Sequence, residues 1–585
     1  MLIRQLAARH SDTETPRYYR TRTVRWAIHL DGDGKPQLID RADADHKAGS
    51  SMATPYVGRT SGVAAMLLVD SMEYVLGISK SDTPKAQDDA GKRRDAFREL
   101  LIAWREATED PIATVIAEFA SAPASLELVE EAKVRGAIAS ELVCFVVGGE
   151  PVHMRPSAVD YWAQVARARK SSGTEGLCLS CGNVGTLLKT VPDMVKGNLI
   201  PVGVSTTGRP KPGRDAALVS VNTAAQGRAG KLQLVNTPLC EDCGSQAMAT
   251  LNTMLADENH RRRSNDSVFV WWLREPAAFN PFILDAPHPT DVKALLAEVN
   301  RTRTEATAED NEFYGLTLSA NQSRVVVRDW IDVPLPHIKA HLAQWFTDHA
   351  CTHTWADGVR HVELWRMAFA SGRWDRRTEK YVPGSGIRGL ERDLLRCALY
   401  GGAPPPTLIP QLLHRIRNDH QIDLARVAML RFALARPPFK ETTMPGLDDT
   451  ATDPGYVWGR IFSVLEAIQR KAIPDINTTI QDKYFTLAMG QPAATMRMLR
   501  LNANKHLKKL TRNEVTRSAG YALDSRLMQL SSLVDDLPAR LDNHGQIRFI
   551  LGYDHQRAAD ISAARAAKAA KATTEAISET ASVTA

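Results

Sequence analysis

Two Cys-x-x-Cys pairs constrain this chain more than any other feature: Cys178-Leu-Ser-Cys181 and Cys240-Glu-Asp-Cys243, with 58 residues between them. A two-residue spacer lets one tight turn present both sulfurs to a single ion, and zinc prefers tetrahedral sulfur. Together the pairs therefore have the donor set of a four-cysteine zinc site. What lies between them is then a loop pinned at its base. A glycine follows each pair directly, Gly182 and Gly244, and the second pair leads into a helical pattern with Leu251, Met254 and Leu255. The competing readings of the same residues are a disulfide pair or scattered core thiols. Four cysteines leave no open coordination position, so the metal expected here is structural and not catalytic.

At 585 residues the chain has room for roughly two to four domains. Its 44% hydrophobic content supplies ample core, and no apolar run is long enough to cross a membrane. The start, Met1-Leu-Ile-Arg-Gln-Leu6, lacks the apolar stretch and small-residue cleavage site of a secretory signal. Seven cysteines, four of them in metal-like pairs, suit a reducing cytoplasm. A net charge of +6 is too mild to imply a nucleic-acid partner by itself, so the position of the positive charge decides.

Val24, Trp26 and Ile28 alternate with polar or small residues, which predicts a strand over Thr23–Leu30. Asp31-Gly-Asp-Gly-Lys-Pro36 turns it into a hairpin with Gln37–Ile39. Pro55-Tyr-Val-Gly-Arg-Thr-Ser-Gly-Val-Ala64 reads as a loop entering a helix with Val63, Met66, Leu67, Asp70 and Tyr74. It is either a phosphate cradle using Arg59, Thr60 and Ser61 or an ordinary capped helix start, and it is not a Walker motif. Phe97, Leu100, Leu101 and Trp104 mark one helical face, and Leu142–Val147 a buried strand containing a core Cys144. Val268-Phe-Val-Trp-Trp-Leu273 and Ser323–Arg328 are strand-like; the paired tryptophans are expected in core rather than stacked on bases. Arg261-Arg-Arg263 is a charged helix end or a phosphate contact. Helices are expected over Ile338–Thr347, Gly389–Leu399, Gln411–Asn418 and Asp423–Leu434. Cys351, His353 and His361 match no helical ligand spacing.

Positive charge concentrates twice. Between the cysteine pairs lie Lys189, Lys196, Arg209, Lys211, Arg214, Arg228 and Lys231 against Asp193 and Asp215, a net +5. Such a loop could lay cations along a phosphate backbone, with Asn222 and Gln226 able to read base edges, or be a solvated insertion. After a polar, proline-containing break from Arg436 to Gly455 the chain reads as helix, with apolar faces at Ile461, Val464, Leu465, Ile468, then Leu499, Leu507, Leu510, then Leu527, Leu530, Leu533. Here Arg497, Arg500, Lys505, Lys508, Lys509, Arg512 and Arg517 face a single acid, Glu514, and Arg497, Arg500, Asn504 and Lys508 are spaced for one helical face. Helices that need only solubility usually mix signs, which favours nucleic acid for this stripe. The alanine-rich end from Ile561 reads as frayed helix or disorder.

Several stretches together resemble the large subunit of the type I-C CRISPR interference complex, Cascade: Gly58-Arg-Thr-Ser-Gly-Val63 with Leu68-Val-Asp70 and Glu73-Tyr-Val-Leu-Gly77; Ala217-Leu-Val-Ser-Val-Asn222; Val268-Phe-Val-Trp271; Phe313-Tyr-Gly-Leu316 with Leu318-Ser-Ala-Asn321; Gly459-Arg-Ile-Phe-Ser-Val-Leu-Glu466; Asn477-Thr-Thr-Ile480 with Asp482-Lys-Tyr-Phe485; and Leu551-Gly-Tyr-Asp-His-Gln-Arg557. The resemblance implies a non-enzymatic role: recognising the protospacer-adjacent motif in double-stranded DNA, promoting duplex opening and R-loop formation, and supporting recruitment of a helicase-nuclease in antiviral defence, while base pairing with the crRNA reads sequence. It implies a cytoplasmic prokaryotic ribonucleoprotein, with backbone subunits, a small subunit, crRNA and target DNA as partners and no membrane. It also makes Met444 a candidate internal start for a separate small subunit.

The fold class expected is α+β, a large mixed N-terminal domain (1–440) with the inserted four-cysteine zinc site, a linker (441–455), an all-α helical bundle (456–560) and an alanine-rich flexible tail (561–585). The candidate zinc ligands are Cys178, Cys181, Cys240 and Cys243. The candidate nucleic-acid contacts are Arg59, Lys189, Lys196, Arg209, Lys211, Arg214, Asn222, Arg228, Arg497, Arg500, Lys505, Lys508, Lys509 and Arg512. The alternatives are a zinc-ribbon scaffold without DNA contact and a zinc-dependent nucleic-acid enzyme. The enzyme would need an open zinc position and a His-x-Glu partner that neither pair has nearby.

Overall fold

The computed structural model describes residues 2–9, 15–30, 36–59, 62–122, 124–204, 210–305, 310–321, 324–353, 356–534 and 536–583; Thr60, Ser61 and Arg209 lie outside them. The alternating stretch near the N-terminus forms strands broken at Arg25, Tyr19–Val24 and Trp26–Leu30. The first pairs with Ser50–Pro55. The second enters a five-stranded sheet, antiparallel to Pro36–Asp40 and parallel to Leu142–Val147, whose other edge takes Val69–Ser71. Parallel neighbours need a long crossover. Here it contains the helices Pro84–Ala107, Pro111–Ser121 and Ala124–Val134. Phe97, Leu100, Leu101 and Trp104 are the buried face of the first, and Phe97 stacks on Phe145 with ring centroids 6.3 Å apart. Cys144 is core, as its strand predicts.

The helix expected from Val63 to Tyr74 does not form. Met66, Leu67, Leu68 and Val69 are consecutive and all buried, which a helix with one apolar face cannot arrange. Leu68 instead takes a left-handed φ of 62°, Val69–Ser71 joins the sheet, and only Met72–Val75 makes a helical turn. Asp70 fixes the bend by accepting from the N–H groups of Met66 and Ser71, each at 2.8 Å.

A four-stranded antiparallel sheet, Arg261–Arg263, Val268–Leu273, Glu312–Asn321 and Arg324–Pro334, divides the middle of the molecule. All six residues of Val268–Leu273 are buried because both faces of the sheet are covered. Phe269, Trp271 and Leu273 face one core, continuous with the later helices. Val268, Val270 and Trp272 face another, built around the cysteine pairs. The adjacent tryptophans thus point to opposite sides, Trp271 stacked on Phe313 and Trp272 against Tyr314 and Trp330. The run Arg261–Arg263 is a strand and not a helix end, and Arg262 binds Asp285 at 2.7 Å and Glu391 at 2.8 Å.

The expected helices follow at Leu335–His349, Leu390–Tyr400, Leu408–Asp419 and Leu424–Ala435. Beyond residue 453 come Pro454–Ala472, Ile480–Gly490, Pro492–Arg512, Arg517–Ser531 and Asn543–Val583. One apolar core runs from Phe269 to Tyr553 and includes residues on both sides of the 436–455 segment. That segment is bonded into its surroundings: Arg436 pairs with Asp348 at 2.5 Å, Thr443 accepts from Arg431, Thr352 N–H donates to Pro445, and Glu441 holds His544 and Arg548. Leu527 and Leu530 are buried, whereas Leu533, past the helix end, is exposed. The alanine-rich stretch continues the last helix to Val583, in keeping with alanine's high helix propensity.

Candidate metal centre and nucleic-acid interface

The first cysteine pair sits at the tip of a hairpin, Ser171–Leu177 with Val184–Leu188, and the second at the start of the helix Glu241–Ala256, with Cys240 as its N-cap. A bridge between Leu187 and Cys240 brings them together. The four sulfurs lie within 4.8 Å of one another, and Cys181 Sγ is 3.9 Å from Cys240 Sγ. None is in a disulfide. A zinc ion about 2.3 Å from each of four tetrahedral sulfurs requires sulfur spacings of this size. The donor set therefore fits zinc. The thiols also interact strongly. Cys178 is lowered to about 7, burial opposing and the N–H groups around Cys240, Cys181 and Ser180 outweighing it; Cys243 is pushed up by burial and by its thiol neighbours. A cation relieves that crowding by holding all four as thiolates. The two following glycines serve different needs. Gly182 takes φ +80° in the turn, while a Cβ on Gly244 would lie 2.3 Å from Leu188 Cδ1, where helix and hairpin touch.

Within the clasped loop the acids are spent internally. Arg20, buried on the strand Tyr19–Val24, reaches Asp193 at 3.3 Å and Asp215 at 3.2 Å. Lys196 is half-buried and donates to Thr21 O at 3.2 Å, so it is tied to the same strand as Arg20. Lys189, Lys211, Arg214, Arg228 and Lys231 are exposed and have no side-chain partner among the described residues. Asn222 is exposed, with its N–H on Gln226 Oε1 at 3.1 Å, so Gln226 is occupied by the turn. Arg59 turns inward: Nε donates to Ala64 O at 2.7 Å, Nη2 pairs with Asp70, and the guanidinium covers the Tyr74 ring at 4.2 Å. It clamps the bend that replaced the expected helix, while Thr60 and Ser61, its companions in the cradle reading, lie outside the described residues.

On the helix Pro492–Arg512, Met496, Leu499, Ala503, Leu507 and Leu510 face the core. The basic stripe splits between two jobs. Arg500 donates to Ser531 Oγ at 2.5 Å, and Lys509 caps the carbonyl of Ala472, the last residue of the helix Pro454–Ala472, at 2.8 Å. Each of these two thus makes one bond to a neighbouring helix, Arg500 half-buried and Lys509 exposed. Arg497, Lys505, Lys508 and Arg512 are exposed without partners among the described residues, and Leu501, 68% exposed, lies in the same ridge with Met498.

A family model described as CRISPR-associated protein (Cas_Csd1) matches residues 3–560. The chain belongs to that family. This bears out the resemblance to the type I-C Cascade large subunit over nearly the whole chain. No curated protein matches it. Among the described residues no helix is long and apolar enough to cross a membrane. Two features of this Cas_Csd1 chain escaped sequence reasoning. Lys170, buried and lowered to about 8 by that burial, ties Gly58 O at 2.6 Å to the hairpin through Thr190. Like Arg20, it carries no local signal, since its partner lies more than a hundred residues away. The second is a polar cleft beside Arg388 and Arg392; the spacing Gly384-x-Gly386-x-x-Gly389 ahead of a helix could have pointed to it.

Proposed function

We propose that this chain is the large subunit of a type I-C CRISPR RNA-guided Cascade complex, which recognises the protospacer-adjacent motif in double-stranded DNA, promotes duplex opening and R-loop formation, and supports recruitment of the helicase-nuclease. Its role is binding and not catalysis, in the prokaryotic cytoplasm, beside backbone subunits, a small subunit and crRNA. The observation that carries DNA contact is the zinc-clasped loop. With Asp193 and Asp215 consumed by Arg20, the exposed Lys189, Lys211, Arg214, Arg228 and Lys231 have no internal counter-charge among the described residues. Such cations exchange their counterions for backbone phosphates, and a loop held at its base loses less entropy on doing so. The ridge Arg497, Lys505, Lys508 and Arg512, interleaved with Met498 and Leu501, suits the displaced single strand, which offers both phosphates and unstacked bases. Four cysteine ligands leave zinc no position for an activated water, which disfavours a zinc enzyme.

The test is binding of the assembled complex to motif-bearing and motif-free duplexes across salt concentrations. Tight, motif-dependent binding with a steep salt slope supports the reading. Absent or salt-insensitive binding sinks it and leaves the scaffold alternative.

A further inference from the structure

A cleft of about 820 Å³ opens where three parts of the chain meet: the strand Pro201–Val204, the strand ends near Asn265 and Asn321, and the segment entering the helix Leu390–Tyr400. That is the size of a small-molecule site, at a junction of the kind such sites favour. The entering segment is Gly384-Ser-Gly386-Ile-Arg388-Gly389, and its glycines are demanded by geometry. Gly384 and Gly389 have φ of 73° and 74°. A Cβ on Gly386 would lie 2.7 Å from the buried Ser371 Oγ, which accepts the N–H of Ile387 at 3.1 Å and so fixes the loop. The N–H groups of Gly386, Arg388 and Gly389 have no acceptor among the described residues.

Three guanidinium groups from two different elements line this space: Arg328, Arg388 and Arg392. Arg328 comes from the sheet, steadied by Nε donating to Ser319 Oγ at 2.6 Å. Arg392 folds back over the loop, so that a Cβ on Gly389 would be 3.1 Å from its Nη2. Arg388 is exposed and has no partner among the described residues. The first turn of the helix carries two acids: Glu391 is bound to Arg262 at 2.8 Å, and Asp393 accepts from Arg392 Nη2 at 3.2 Å, so that Arg392 keeps only part of its fork for a ligand. Planar guanidinium forks and free backbone amides are matched to phosphate oxygens. Asn265, Asp266 and Asn321, also on the lining, offer donors and acceptors suited to sugar hydroxyls and a base edge, and Phe369 gives an apolar wall.

We infer that this cleft binds a nucleotide unit, its phosphate on Arg328, Arg388, Arg392 and the glycine loop. The unit is either a free mononucleotide or one link of a single-stranded polynucleotide. The loop is no dinucleotide-binding fingerprint, because the strand ahead of it is the two-residue antiparallel pairing of Lys380–Tyr381 with Trp374–Asp375 rather than part of a βαβ unit. Among the described residues none of the exposed cations of the clasped loop or of the basic helix lines it, so it stands apart from those proposed DNA contacts.

Fluorescence anisotropy with a labelled adenosine mononucleotide and a labelled short single-stranded oligonucleotide tests this on the full chain, compared with Arg388→Gln and with Arg388→Gln combined with Arg392→Gln. Arg388 has no described partner, so its single variant should keep the wild-type melting temperature. We expect at least one probe to bind and the double variant to weaken that binding by about tenfold or more. Mononucleotide binding assigns free nucleotide as the source, and oligonucleotide binding alone assigns a polynucleotide. A chain carrying Lys505→Glu and Lys508→Glu, tested alongside, should keep the wild-type mononucleotide affinity and the share of oligonucleotide binding that the double arginine variant loses, even where the ridge's own share of oligonucleotide binding falls. The inference is overturned if neither probe binds more tightly than about 1 mM, or if both probes bind the double variant as they bind the wild type.

Discussion

Cys178 and Cys243 are buried and Cys181 and Cys240 less so, yet their sulfurs converge within 4.8 Å from opposite ends of a 58-residue loop. We expect about one equivalent of zinc per chain by elemental analysis, with Cys178→Ser combined with Cys240→Ser losing the metal and opening the loop to protease; native protein with well under one equivalent would refute the site. A second residue-scale effect concerns histidine. His153, His349, His361 and His555 are held neutral, lowered from 6.5 to about 4, 3, 4 and 3, chiefly by burial. The unfolded chain therefore takes up protons first as the pH falls. The stability these groups contribute is whole above about 6.5 and drains away below it, toward pH 3 to 4. Asp554, raised to about 6 by burial, works in the opposite sense over a shorter range and offsets part of the loss. Urea midpoints should accordingly fall between pH 7.5 and pH 5; a flat profile would contradict the burial of these rings.

The helices Pro454–Ala472 and Asn543–Val583 touch through glycine. A Cβ on Gly459 would lie 2.0 Å from Phe549 O, and one on Gly552 2.0 Å from Tyr456 O, so the backbones pack where no side chain fits. Both glycines belong to the stretches that carried the family resemblance, and packing is the physical reason for them. Gly459→Ala or Gly552→Ala should each cost about 1–3 kcal/mol in chemical denaturation despite alanine's better helix propensity. Gly490, with nothing near its Cβ, is the control that should not be destabilised. On the helix Pro492–Arg512, spacing alone placed Arg500 on the nucleic-acid face, but a neighbouring helix claims it. The charge reversal to make is Arg497→Glu with Lys505→Glu and Lys508→Glu. It should flatten the salt dependence of single-strand binding by about two units of slope, whereas Lys509→Met, which removes an internal cap, should affect stability more than binding.

At the scale of the molecule, the sheet that contains Val268–Leu273 is a wall between two cores, and the larger core continues through the last helices. Because the 436–455 segment is bonded on both sides, a protease nick there should leave the two fragments associated in native gel filtration, and a separated C-terminal fragment would show that the shared core contributes little. The sequence by itself determined what short-range physics controls: the cysteine donor set, the amphipathic faces at Phe97–Trp104 and Ile461–Ile468, the buried strands at Leu142 and Val268, and the family. These depend on spacing over a few residues, where helix and strand periods leave a readable pattern. Only the tertiary structure decided which charges are free. Arg20 silences Asp193 and Asp215, and Ala472 takes Lys509, each across a separation that no local period records, while Asp70 takes Arg59 through a bend where the sequence pattern predicts a helix. A cation's role is set by the nearest carboxylate or carbonyl in space, and folding chooses that neighbour.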